Sequence, residues 1–133
     1  MIVNISITSS QKVQCINISE KLDEAVSDLQ LSEGVLFVYV PHTTCALTIN
    51  ECCDPDVFQD IIEKLDQIVP QSYNYHHCEG NSEAHIKAAI IGNQRFMFVH
   101  NSKIVKGSWE GVYLMEFDGP RNRRVLVNAL SNK

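Results

Sequence analysis

Five histidines are the residues of this 133-residue chain best suited to chemistry. Imidazole is the commonest transition-metal ligand, and three imidazoles with one open position make a catalytic zinc site, often supplied by loops and element ends that converge in space. His42, the adjacent His76 and His77, and His85 occupy such places in the sequence. His77 and His85 lie on either side of a loop-to-helix boundary. They are therefore not the i, i+4 helical pair of an H-E-x-x-H protein, and spacing leaves open whether the rings meet. His100, beside Asn101 at a strand end, reads as an ordinary surface or hydrogen-bonded histidine.

Anion chemistry is suggested twice. Glu79-Gly80-Asn81-Ser82 runs directly into a helical pattern, where free backbone N–H groups and the positive end of the helix dipole can hold a phosphate; the plainer reading is a Gly80-Asn81 turn with Ser82 as cap. Arg121, Arg123 and Arg124 follow the Asp118-Gly119-Pro120 turn and can grip a pyrophosphate in bidentate fashion, or pair with Glu116 and Asp118. Of the acids after the preceding strands, Asp54 is explained as a helix cap and Glu51 is not, which makes Glu51 the candidate general acid/base. Trp109 can line a pocket for a flat ring or simply pack in a core. Cys15, Cys45, Cys52, Cys53 and Cys78 form no CxxC spacing and read as free thiols of a reducing compartment, with Cys52 and Cys53 taken as small packed side chains.

The elements that must position these groups follow from hydrophobic periodicity. Ile2 to Ile7 and Val13 to Ile18 alternate apolar with polar across a Ser9-Ser10-Gln11-Lys12 linker, predicting an opening hairpin. Ser19 caps a predicted helix with Leu22, Ala25, Val26 and Leu29 on one stripe, ending near Gly34. Strands are predicted over Val35 to Val40 and Thr43 to Asn50, with Pro41-His42 at the corner between them. Asp54-Pro55 opens a helix bearing Phe58, Ile61, Ile62, Leu65 and Ile68, and Pro70 stops it. A polar, aromatic loop carrying Tyr73, Tyr75, His76 and His77 precedes a short helical pattern, Ala84 to Ile91. Strands over Arg95 to His100, Val112 to Phe117 and Arg124 to Leu130 complete the chain. Strand pairs, inserted helices and a final run of strands predict a single α+β domain over residues 1–133, a mainly antiparallel β-sandwich-like core with two or three helices packed on it.

Composition excludes several classes. A formal charge of −5 has the wrong sign for tracking a nucleic-acid backbone. No apolar run reaches the ~18 residues of a membrane span, and the N-terminal segment lacks a secretory pattern, so the expectation is a cytoplasmic protein with neither nucleic acid nor membrane as partner. No GxGxxG or P-loop pattern supports a dinucleotide or triphosphate site.

The motifs taken together resemble the YjbQ-like family, the so-called secondary thiamine-phosphate synthase family. His42-Thr43-Thr44, Thr48-Ile49-Asn50-Glu51 and Asp54-Pro55-Asp56-Val57 look like its front half. His77-Cys78-Glu79-Gly80-Asn81 with Ala84-His85-Ile86-Lys87 resembles its H-x-E-G-N-x-x-A-H-x-K stretch. Gly107-Ser108-Trp109-Glu110-Gly111-Val112-Tyr113-Leu114 resembles its G-T-W-Q-G-I-Y-L stretch, and Glu116-Phe117-Asp118-Gly119-Pro120-Arg121 with Arg123 completes the order. Ser108, Glu110, Lys106 and the Cys52-Cys53 pair depart from the usual pattern.

The resemblance implies a β-sandwich-like α+β fold, a homotrimer, and a divalent metal bound by His42, His77 and His85, zinc by ligand type with magnesium as the alternative. It implies an enzyme joining an aminopyrimidine-methyl pyrophosphate to a thiazole phosphate with release of pyrophosphate. In that reading Glu51 is the catalytic residue, and Asn50, Gly80, Asn81, Trp109, Arg121 and Arg123 bind the small phosphorylated substrate. Two other functions use the same residues: a zinc-dependent hydrolase, and a non-catalytic trimeric module for a metal or anion.

Overall fold

The computed structural model describes residues 1–132. Its strands are β1 (Val3–Thr8), β2 (Gln14–Asn17), β3 (Gly34–Tyr39), β4 (Cys45–Glu51), β5 (Gln94–His100), β6 (Lys103–Ile104), β7 (Glu110–Glu116) and β8 (Asn122–Ser131). Its helices are α1 (Ser19–Asp28), α2 (Pro55–Ile68) and α3 (Ser82–Ile91). Two antiparallel sheets, ordered β1-β8-β3-β5-β6 and β2-β7-β4, form a curled sandwich, so the α+β expectation holds.

The opening hairpin does not form. β1 pairs with β8 in the first sheet and β2 with β7 in the second, because alternation fixes which face of a strand is buried and not which strand lies beside it. Each sheet then buries its inner residues against the other: Ile5, Leu36, Val38, Val125 and Val127 meet Leu47, Val112 and Leu114, and α1 adds Leu22, Ala25 and Val26. A second core covers the other side of the smaller sheet, where Phe58 and Leu65 of α2 and Ala84 and Ala88 of α3 pack on Ala46, Tyr113 and Met115. β7 is therefore walled on both faces, which explains its unbroken apolar run from Val112 to Met115.

Local signals set the helix ends. Asp54 caps α2, its Oδ1 accepting the Asp56 N–H at 3.0 Å, and Pro55 occupies the first turn as expected. Ser19 is not a cap: it lies inside α1, and its Oγ accepts the Val112 N–H at 3.0 Å, tying helix to strand. α1 ends at Asp28, and Gly34 opens β3. At Gly34 a side chain would collide with the Leu130 carbonyl, 2.1 Å from an ideal Cβ, so the close approach of β3 to β8 requires glycine.

Candidate functional site

His85 is the hub. It sits on the first turns of α3 and lines three adjoining cavities. The first, about 340 Å³, also has His42, Thr43, Thr44, Asn81, Asp118, Arg121 and Arg123 in its wall. The second, about 340 Å³, is lined by Tyr75, His76, His77, Ser82 and Ile86 besides His85. The third, about 310 Å³, extends from His42 and His85 along α3 to Gly92 and Asn93. His42 at the β3–β4 corner, His77 in the loop before α3 and His85 on α3 are thus brought to one end of the sandwich from three distant places in the chain.

Their individual bonds differ. His77 and His85 stand edge to face with ring centroids 5.4 Å apart. His77 Nδ1 is hydrogen-bonded to Ser82 Oγ at 2.7 Å, while Nε2 has only the exposed Glu79 carboxylate at 3.8 Å. Ser82, read as a cap, is occupied in fixing that ring. Asn81 takes the cap position without making a side-chain cap bond. His42 Nε2 accepts the Arg124 backbone N–H at 2.9 Å, which leaves its proton on Nδ1. Burial, followed by the positive charges of Arg123 and Arg124, lowers the His42 pKa and favours the neutral ring.

The arginines divide the work. Arg123 is buried; its Nε donates to Glu116 Oε1 at 2.9 Å, its Nη2 donates to Glu116 Oε2, and Nη2 also donates to Thr44 Oγ1 at 2.7 Å. Burial alone pushes the Glu116 carboxyl up, but bonds from Arg123, the Ser9 hydroxyl and the Asp118 N–H outweigh it and hold the group below its ordinary value. Arg121 is half exposed, its Nε on the Asp118 carbonyl at 2.8 Å and its Nη2 on Asp118 Oδ2 at 3.0 Å. Asn81 Nδ2 donates to the same Oδ2 at 2.8 Å, and its own Oδ1 is buried with no hydrogen-bond partner. Gly119 presses the arginine turn onto the β1–β2 linker, where a Cβ would stand 2.2 Å from the Gln11 carbonyl.

The remaining candidates lie elsewhere. Glu51, Asn50 and Trp109 line none of these cavities. β4 starts near His42 and ends at Glu51, about 20 Å further along at ~3.3 Å per residue. Glu51 faces Glu110 across the ladder, Asn50 Oδ1 accepts the Glu51 N–H at 2.8 Å, and Trp109 is 64% exposed. Gly80, at φ +87°, has open space around it and makes the turn into α3. His100 pairs with Glu33 at 2.8 Å, away from the site. Sequence reasoning missed Ser9 and Thr44. It named Glu116 and Asp118 as neighbours of the arginines and as motif residues without giving them a role, although their spacing to Arg121 and Arg123 around one turn was the available signal.

A metal implied by the family resemblance can be tested against these groups. His77, anchored at Nδ1 with Nε2 free, and the adjacent His85 suit a borderline ion such as zinc, and the unsatisfied Asn81 Oδ1 suits a water held on such an ion. His42 completes three imidazoles only if it turns away from the Arg124 N–H. As the side chains stand, no three His, Cys, Asp or Glu groups among the described residues are gathered as a metal site. Magnesium is the poorer match, since the one carboxylate on the cavity wall, Asp118, is engaged by Asn81 and Arg121.

The family described as UPF0047 protein YjbQ-like matches residues 3–132. The chain belongs to the YjbQ/UPF0047 family. A UPF0047 protein of Methanocaldococcus jannaschii is 36% identical over 133 residues, covering 100% of this chain and 96% of its own length. The UPF0047 protein YugU of Bacillus subtilis is 32% identical, covering 98% and 99%. A YjbQ/UPF0047 family protein of Clostridium acetobutylicum has a crystal structure that superimposes with a TM-score of 0.94 at 42% identity, covering 96% of this chain and 99% of that one. Among the described residues no helix is long and apolar enough to cross a membrane.

Proposed function

We propose that this YjbQ-family chain is a cytosolic, metal-dependent enzyme that binds a small phosphorylated molecule at the His42–His85–Arg121 cavity. Its reaction is the condensation of an aminopyrimidine-methyl pyrophosphate with a thiazole phosphate, as a native or a side activity. The observation that carries the reading is the convergence of Arg121, Arg123, His42 and the uncapped N-terminus of α3 on one cavity. In the reaction the methylene C–O bond breaks, pyrophosphate leaves with the electron pair, and the thiazole nitrogen forms the new C–N bond. Arg121 and the His42 Nδ1–H offer charge and a hydrogen bond to the departing oxygens. Arg123, already spent on Glu116 and Thr44, acts chiefly by holding the cavity wall. A zinc-class ion on His77, His85 and a turned His42 supplies Lewis-acid charge when bound.

A non-catalytic metal- or anion-binding module is the second reading, favoured by the position of Glu51, which leaves the cavity without the base assigned to it. A metal-replete assay with both substrates, run beside His42→Ala, separates the readings. Product from wild type alone supports the condensation. Equal product from both proteins removes His42 from catalysis, release of phosphate without condensation favours a hydrolase, and saturable binding without turnover favours the module.

The homo-oligomer, a trimer by family resemblance, is supported by the outer face of the larger sheet, where Phe37, Tyr39, Phe96, Phe98 and Leu130 are exposed. Four half-exposed aromatics at roughly 200 Å² each, with Leu130 and Ile2, offer on the order of 600 Å². That is most of the ~800 Å² per partner of a standard interface, and a second copy of the chain is the occupant proposed. Phe96→Glu with Phe98→Glu is expected to sediment as a monomer; an unchanged mass rejects this face.

A further inference from the structure

The sequence reading of Cys52 and Cys53 as packed side chains does not hold, since both are exposed. They follow the last residue of β4, and their sulphurs stand 3.9 Å apart. The segment is fixed from three sides. The Cys52 N–H donates to the Trp109 carbonyl at 2.8 Å, Gly111 lies so close beneath that a Cβ there would meet Cys52 Cβ at 2.9 Å, and Asp54 caps α2 immediately afterwards. A chelating pair held in place by its backbone spends little conformational entropy when an ion binds.

We propose that Cys52 and Cys53 form a two-thiolate site for a thiophilic divalent cation of the zinc or cadmium class, independent of the histidine cavities at the other end of the sandwich. At the ~2.3 Å bond of a zinc thiolate, sulphurs 3.9 Å apart subtend about 116° at the ion, near tetrahedral. A disulfide is the competing use of the pair and fits less well. Neighbouring residues have Cα atoms ~3.8 Å apart across a trans peptide, below the ~4.4–6.8 Å that disulfides span, and the sulphurs would have to close to about 2.0 Å. Among the described residues no third His, Cys, Asp or Glu joins the pair, so the protein supplies two ligands and the other two positions go to water or a small ligand. Glu51 and Glu110, opposite each other on the adjoining ladder rung, add the negative field that a cation favours.

Binding exchanges protons for metal: one cation and two thiols give the dithiolate and two released protons. The Cys53 thiol is pushed up by its hydrogen bond with Cys52, so its proton is present to be released near neutral pH. The other thiols are poor competitors. Burial raises Cys15 and Cys45 to about 11, and Cys78 is exposed with no second thiol hydrogen-bonded to it among the described residues.

Titration with cadmium chloride tests the site through the ultraviolet thiolate-to-cadmium charge-transfer band. The band of wild type is expected to saturate at one thiolate-bound cadmium per chain. His85→Ala and Cys78→Ser are expected to give the same band, and Cys52→Ser and Cys53→Ser to bind at least tenfold more weakly with less than half the amplitude. The three cysteines are exposed and His85 is only partly buried, so circular dichroism should find every variant folded. Absence of the band in wild type, wild-type affinity in either Cys52→Ser or Cys53→Ser, or loss of the band in His85→Ala, which would deny the site its independence from the histidines, overturns the proposal.

Discussion

The two ends of the β4–β7 ladder each bring carboxylates and thiols into one neighbourhood, to opposite effect. At one end Cys45 lies opposite Glu116, a fully buried carboxylate bonded to Arg123, Ser9 and the Asp118 backbone. At the other end Glu51 lies opposite Glu110, two acids with exposed Trp109 and two exposed thiols beside them. Buried charge tolerates no missing partner, because an unpaired ion keeps its desolvation cost without any compensating attraction. Solvated charge of one sign costs little and is free to serve a ligand. The first end is therefore part of the fold as well as of the site, whereas the second can be altered with the fold intact.

Stability should separate the two ends most sharply. Arg123→Ala is expected to destabilise the protein by about 3–5 kcal/mol through the orphaned Glu116, while Glu51→Gln stays within about 0.5 kcal/mol; urea denaturation reads both. Equal effects would erase the distinction. Binding should separate them next. Arg121→Ala is expected to weaken pyrophosphate about tenfold by calorimetry, corresponding to ~1.4 kcal/mol, and Trp109→Ala is expected to leave it unchanged. Elemental analysis sharpens the histidine end further: wild type is expected to carry histidine-bound zinc, and His85→Ala is expected to carry one equivalent less.

The smallest effect is that of pH. The folded-state pKa of His42 lies below its ordinary 6.5, so the stability it contributes is complete above 6.5 and is lost as pH falls through the lowered value. Glu116 and Asp118 are also held below their ordinary 4.5 and 3.8, Asp118 because bonds from Asn81 and Arg121 outweigh its burial. Their contribution is present above those values and disappears only in stronger acid. A stability profile with two descending phases is expected, and His42→Asn should remove the upper one.

Much of this was legible beforehand. The α2 cap and the strand runs follow from periodicity and turn chemistry, whereas the approach of His42 to His85 was implied by the family resemblance alone. The pairing of β1 with β8, at opposite ends of the chain, was not legible, because an alternating strand carries no address for its neighbour. Glu51 shows a different gap. Motif order grouped it with His42, but a strand advances ~3.3 Å per residue, and the length of β4 carries the carboxylate to the far end of the sheet. Arg123 was read as a ligand-binding residue because sequence gives charge and not burial.

β7 links both ends while lying between a sheet and two helices. Its central amides, from Val112 to Met115, should be among the slowest in the protein to exchange with deuterium, opening only when the whole chain unfolds. A molecule captured at either extremity then presses on a girder that does not flex locally, and each extremity can be occupied, emptied or redesigned without notice at the other.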